Sequence, residues 1–445
     1  MYGQQTLAEA GRTIAASVVE ARALTDELFS VVRPESFYER PIPERHRILF
    51  YLGHLEAFDW NLIGRNILAL NSFHGEFDRL FAFGIDPVGG GLPSDQPSDW
   101  PSISEVYRYN QRVRQTLDAA LGKVAFSDPT LPLLRDGYAL HVALEHRLMH
   151  AETFAYMLHQ LPLESKLPQR QVSLPAAPPA AARMVNIPAG VATLGMARIE
   201  GDTFGWDNEF ETQRVTVPEF AIDVYNVTNR QFLEFMRAGG YEDRRIWTES
   251  DWDWKAEPGI EHPLSWELRG DRWFYRAMFE EIPLPLDWPV YVSHAEASAY
   301  ARWMGKELPT EAQFHRAAFG TANGAEREYP WGNQPPQPHL GNFDFQRWDP
   351  AAIGSYPSGA SAFGVADLVG NGWEWTSTVF APLPGFQAFP FYPGYSADFF
   401  DGKHFVMKGG SARTARQLLR RSFRNWFQPH YPYVFAKFRC VRSAS

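Results

Sequence analysis

The chain has 445 residues, 45% hydrophobic and 21% charged. This composition excludes a largely disordered protein and leaves room for two domains. The 42 Lys and Arg against 52 Asp and Glu give a net charge of −10, which excludes a general binder of nucleic acid or anionic membrane. A single cysteine, Cys440, excludes an internal disulfide, a cysteine-based zinc site and an iron–sulfur cluster, and it fits a cytoplasmic location.

The first 160 residues read as helices. Apolar residues recur at three- and four-residue spacings over Thr6–Phe29, Arg45–Leu70, Ile103–Leu121 and Leu134–Leu158, four segments that suit an antiparallel bundle. Residues Phe83–Pro101, containing GGGLPSDQPSDWP, form a Gly/Pro/Ser/Asp-rich loop. A Pro/Ala stretch divides the chain into a helical domain (1–162), a linker (163–183) and a second domain (184–445). No run approaches 18 apolar residues, and MYGQQTLAEAGRT lacks the order of a secretory signal.

After Met184 the texture changes to short β-like runs (Val185–Ile187, Arg214–Val217, Phe220–Tyr225) among turns rich in Trp, Gly and Pro. Two helices interrupt them, Thr228–Ala238 capped by Thr228 and Ser293–Met304 capped by Ser293 with Glu296 three residues on. The fold class is therefore multidomain, all-α followed by irregular α+β.

Seven of the 13 histidines lie in the first 159 residues. His146 and His150, in Glu145-His146-Arg147-Leu148-Met149-His150, are four apart on one helix, so both rings leave one face and can bind one ion. Arg147 stands where the helical zinc proteases carry Glu, so that signature is absent. His54, within FYLGHLEAFDW, sits among Phe50, Leu52, Leu55 and Phe58, where a buried imidazole needs a partner. It is the candidate third ligand. Thiolate-free nitrogen ligation suits zinc, iron, nickel or copper, and spacing does not choose among them. Three protein ligands leave positions open for chemistry.

Four strings in the second half are specific in combination: Leu308-Pro-Thr-Glu-Ala-Gln-Phe314 with Arg316-Ala-Ala318, Tyr329-Pro-Trp-Gly332, Gly370-Asn-Gly-Trp-Glu-Trp-Thr376, and Gly409-Gly-Ser411 with Lys437-Phe-Arg439. They resemble the formylglycine-generating-enzyme (sulfatase-modifying-factor, C-type-lectin-like) fold. With only Cys440, the chain lacks that enzyme's copper-binding cysteine pair. The helical half resembles the DinB-like four-helix bundle, whose metal-binding members use three histidines in the pattern of His54, His146 and His150. The two together resemble the ergothioneine and ovothiol sulfoxide synthases, as do WDNE (Trp206–Glu209), VTNRQFLEF, PLPGF and FRNWF.

That resemblance implies Fe(II) on the three histidines, O2 as co-substrate, and C–S bond formation between a thiol and the imidazole of hercynine or histidine, leaving a sulfoxide. It implies Tyr392, in FPFYPGYS, as the catalytic acid with Tyr395 three residues on, and Asn425 and Trp426 as the wall that binds the betaine. Three departures bear on the substrates. Met149 replaces a frequent Gln, Phe427 replaces the Asp of γ-glutamylcysteine-using members, and the Phe83–Pro101 loop lacks their arginines. These favour cysteine as the thiol. The related selenoneine synthases make a selenium donor and a selenoxide product an alternative.

From Gly402 to Ser445 there are ten Lys or Arg and no acid. Most are expected to form a basic face balanced by acids elsewhere in the chain, with one or two of Arg420, Arg421 and Arg424 clamping a substrate carboxylate. The partners expected are small molecules, with no nucleic acid and no membrane. Two rival functions are a DinB-type metal-dependent thiol S-transferase and a non-enzymatic ligand-binding protein with a structural metal.

Overall fold

Apolar periodicity makes helices of the first part of the chain: α1 (Tyr2–Ser30), α2 (Ile48–Asp59), α3 (Gly75–Phe83), α4 (Ile103–Leu121) and α5 (Tyr138–Gln160). The computed structural model describes residues 2–83, 92–126, 128, 130–169, 181–198 and 204–443. It divides into two units, Met1–Gln169 and Arg170–Ser445. Among the described residues no helix is long and apolar enough to cross a membrane.

In the first unit α2 and α5 are buried along most of their lengths and carry His54, His146 and His150. Helix α2 runs on as a π-helical stretch, Trp60–Ile67. Ser102 caps α4, its hydroxyl accepting from the Glu105 N–H while Glu105 accepts from the Ser102 N–H at 2.9 Å. The short α3 is an addition to the four expected helices. Its buried Asp78 accepts from Trp60 Nε1 (3.1 Å), Tyr109 Oη (2.8 Å) and Ser72 Oγ (2.6 Å), which pins it to α4 and the π-helical stretch.

Part of the expected 83–101 loop, 84–91, lies outside the described residues. The remainder is anchored by buried Asp95, which accepts from Arg40, from Arg47 Nε at 2.7 Å and from Trp100 Nε1 at 2.7 Å. Residues 170–180 of the expected linker also lie outside. Its first residues return to the bundle: Lys166 is buried, donates to the Leu158 carbonyl at 2.9 Å and bridges to Val32.

The second unit contains strands β1 (Met184–Ile187), β2 (Gly190–Leu194), β3 (Gln213–Val217), β4 (Phe220–Asp223), β5 (Trp266–Arg269), β6 (Arg272–Arg276), β7 (Glu281–Pro283), β8 (Trp373–Val379), β9 (Phe405–Lys408), β10 (Asn425–Phe427), β11 (Ala436–Lys437) and β12 (Val441–Ser443). They form small sheets ordered β1-β4-β12, β10-β9-β8-β11, β2-β3 and β5-β6-β7, antiparallel except for β8 with β11. Helices α6 (Asn229–Arg237), α7 (Glu249–Ala256), α8 (His294–Trp303) and α9 (Glu311–Phe319) accompany them. The core forms where Phe314, Ala317 and Ala318 of α9 meet Ile187, Ala192, Val217, Phe220, Ile222 and Leu368.

Acids elsewhere in the chain do balance the C-terminal cations, but half of the ten are buried and not on a basic face. Lys408, Arg413, Arg424, Lys437 and Arg439 are buried. Lys437 stands opposite Glu374 in the β8–β11 register and donates to it at 3.1 Å, while Arg439 grips the same carboxylate at 2.7 and 2.6 Å. Burial alone would raise the Glu374 pKa, but the two cations outweigh it and hold the carboxyl below its usual range. The acids missing from the C-terminal sequence are supplied by other strands and helices.

Ser293 caps α8 in a buried setting, accepting from Glu296 N–H at 3.2 Å while Glu296 accepts from Ser293 N–H at 2.8 Å. Replacing Ser293→Ala is expected to cost about 1–2 kcal/mol, read as an earlier denaturant midpoint for the second unit's transition.

Candidate metal centre

The centre begins with a glycine. Gly53 precedes His54 on α2, and a Cβ there would stand 2.4 Å from the fully buried Phe81 ring. The missing side chain lets α3 approach until the Phe81 carbonyl accepts from His54 Nδ1 at 2.7 Å. This bond fixes the tautomer, because Nδ1 keeps the proton and the Nε2 lone pair is turned inward. His54 Nε2 then lies 3.3 Å from His150 Nε2.

One turn earlier on α5, the His146 ring lies flat on Phe58, with centroids 3.5 Å apart and planes at 10°. Phe50 stacks on His54 at 4.8 Å. The three imidazoles each bring a nitrogen within 4.8 Å of the others.

Burial governs their charge. It lowers the His54 pKa to about 4 and drives those of His146 and His150 well below the imidazole range, so all three are neutral at pH 7. Both His146 ring nitrogens and His150 Nδ1 have no hydrogen-bond partner among the described residues. Unpaired buried nitrogens cost free energy, and a cation relieves that cost. Imidazoles sharing one ion at about 2.1 Å stand roughly 3 Å apart, a spacing the His54–His150 pair already has. The donor set therefore fits a divalent transition metal held by three neutral nitrogens.

The other candidate residues fall into two groups. Met149 lies beside His150 on α5 and is half-buried. In the second unit, Tyr392, Tyr395, Asn425 and Trp426 belong to one aromatic cluster. Tyr392 and Tyr395 have ring centroids 5.6 Å apart; Tyr395 stacks on Trp206 at 4.0 Å and meets Trp426 edge-on at 5.7 Å. Trp426 stacks on Phe380 at 4.1 Å. Burial raises the Tyr392 pKa, so its phenol holds a proton at neutral pH. Asn425 Oδ1 accepts from the Trp426 N–H at 2.9 Å, which leaves the amide presenting its NH2 donors. Phe427 stacks on Tyr431 at 5.1 Å.

The WDNE turn braces the loops that carry Tyr395 and Asn425. Asp207 accepts from Ser396 Oγ just after Tyr395, and Glu209 accepts from Ser422 Oγ at 2.7 Å just before Asn425. The same geometry bears on the carboxylate clamp expected of one or two of Arg420, Arg421 and Arg424. Arg420 is held by Glu209, Arg424 is gripped by Glu311 through two 3.0 Å bonds, and Arg421 pairs with Glu326 at 3.3 Å. Internal carboxylates fill the guanidinium forks of Arg420 and Arg424, whereas Arg421 makes one longer contact.

Sequence reasoning missed Gly53 and the Phe81 carbonyl. A glycine directly before a buried histidine was the available signal.

Comparison with known proteins bears on both units. Residues 170–444 match the sulfatase-modifying factor enzyme 1-like domain, and 17–154 match the DinB superfamily. The chain is 36% identical over 375 residues to a hercynine oxygenase of Mycolicibacterium smegmatis, covering 82% of this chain and 83% of that one. It is 36% identical over 344 residues to the hercynine oxygenase of Mycolicibacterium thermoresistibile, covering 76% and 74%. Ergothioneine biosynthesis protein 1 of Neurospora crassa is 28% identical over 492 residues, covering 92% of this chain and 55% of that one.

Substituting Gly53→Ala is expected to push α3 outward, break the His54–Phe81 bond and destabilise the bundle by about 1–3 kcal/mol. Metal affinity is expected to fall about tenfold or more, as measured by competition against a chelator.

Proposed function

Because this chain belongs to the sulfoxide synthase family of ergothioneine biosynthesis and is an oxidoreductase, we propose that it joins a thiol sulfur to an imidazole carbon of hercynine or histidine. The observation that carries this reading is the cluster of three neutral, inward-facing imidazoles. His54, His146 and His150 would hold Fe(II), which would supply redox activity and leave positions open for substrates. The reaction balances with O2 alone. One thiol, one imidazole C–H and one O2 give one sulfoxide and one water, and the four electrons released in making the C–S and S–O bonds reduce O2.

The residues divide the remaining work. The Phe81 carbonyl keeps His54 in the ligating tautomer, and burial spares the imidazoles competition from protons. Tyr392 holds a phenolic proton at neutral pH and donates it during turnover. The free NH2 of Asn425 meets the substrate carboxylate, and Trp426 offers its face to a trimethylammonium group. Tyr395, braced on Trp206, fixes the position of Trp426. Phe427 in place of an acid, together with the arginine-free 83–101 sequence, favours cysteine over γ-glutamylcysteine. A reducing cytoplasm suits a chain whose one thiol, Cys440, is free and buried.

The test is a panel of hercynine and histidine against cysteine, γ-glutamylcysteine and a selenosugar with Fe(II)-loaded protein. One O2 consumed per sulfoxide or selenoxide, only when both substrates are present, is the expected result, and the productive arm identifies the chalcogen donor. Tyr392→Phe should lower kcat by about 10²–10⁴ with little change in KM. No turnover in any arm, or turnover without O2, would overturn the proposal.

A further inference from the structure

Arg147 sits between two of the histidines in sequence, and the reaction gives it no part. It is among the largest fully buried side chains of the protein. One residue beyond His146, it leaves α5 about 100° further round the helix, away from the imidazole face. Its guanidinium donates from Nη2 to the Leu55 carbonyl (3.1 Å) and Asp59 Oδ2 (2.9 Å), and lies 3.0 Å from Glu56 Oε1. From Nη1 it donates to Thr25 Oγ1 of α1 at 3.2 Å. The Thr25 hydroxyl spends its own hydrogen on the Arg22 carbonyl at 2.9 Å, which leaves a lone pair for Arg147.

The network continues outward. Glu56 accepts from Arg114 of α4 at 3.0 and 2.7 Å, and Arg114 also grips Asp26 of α1 at 2.7 and 2.8 Å. One buried guanidinium thus joins α5 to α2 and α1, and through Glu56 to α4.

The three α2 contacts, Leu55, Glu56 and Asp59, lie one, two and five residues after His54. They oppose rotation of α2 about its own axis. A side chain whose tip is about 6 Å from the helix axis moves by roughly 1 Å for a 10° rotation, while a metal site tolerates about 0.5 Å. Buried ion pairs are poor sources of net stability, and setting register is their best-attested use.

We infer that Arg147 is a positioning residue for the three-histidine centre, locking the rotation of α2 against α5 so that His54 meets His146 and His150. This rests on the reading that those three histidines hold one metal ion.

The experiment titrates Co(II), a spectroscopic stand-in, and Fe(II) into the full chain and into Arg147→Lys, Arg147→Met and Asp59→Asn. Each protein's thermal midpoint is measured with and without metal. The metal-induced rise reports the metal dissociation constant separately from metal-free stability. Arg147→Met is expected to weaken Co(II) binding about 10- to 100-fold and to shrink the metal-induced rise. Arg147→Lys should fall between it and wild type, and the Co(II) d–d spectrum should change in both. If a variant's metal-free midpoint drops while its metal-induced rise and Co(II) spectrum stay as in wild type, Arg147 only stabilises the fold and the inference fails. If Arg147→Met does not fold, Asp59→Asn decides: a smaller weakening of metal binding supports the inference, and none overturns it. Wild-type protein that binds neither ion would overturn the metal reading itself.

Discussion

Three uncharged imidazoles turned toward one another among packed helices are the constraint on which the first unit is built. Burial keeps them neutral, and the aromatic rings of Phe50 and Phe58 hold two of them flat. Neutral nitrogens with no hydrogen-bond partners are an expensive thing to keep inside a protein unless something binds them. Much of the bundle's polar machinery makes sense as the means of holding this arrangement: Asp78 fixes α3, Gly53 admits it, and the Phe81 carbonyl orients His54.

The second unit solves a different problem with similar means. Its aromatic surface comes from loops and a short edge strand, which have few ladder hydrogen bonds to define them. Buried polar groups compensate. The WDNE turn ties the tyrosine loop through Asp207 and Ser396, and ties the approach to Asn425 through Glu209, Ser422 and Arg420. Arg420 and Arg424, two of the arginines expected near a substrate carboxylate, brace the loops that carry the candidate substrate-binding residues. Charge counted along a sequence says nothing about where each partner lies, and here the partners stand about 100 to 200 residues away.

Long periodic elements were legible in the sequence. Helix α4 spans the segment expected, Ile103–Leu121, because its Ser102–Glu105 cap and apolar spacing agree. The His146–His150 pairing followed from helical geometry alone. Helix α3 was not legible, since nine residues give periodicity too little length to register. Helix α9 should have been found, because Thr310 and Gln313 form the same reciprocal cap recognised at Ser293. The partner of His54 is a backbone carbonyl, which no side-chain pattern encodes. Arg147 was readable only as an absence of Glu, its network being a property of four packed helices.

The central claim is that histidines from two helices share one cation, and the most direct measurement is anaerobic Fe(II) stoichiometry by calorimetry on wild-type protein and on His54→Ala. The account predicts one Fe(II) per chain for wild type and loss of that binding when only the α2 ligand is removed. Equal affinity in the two proteins, or more than one equivalent site in the wild type, would contradict it.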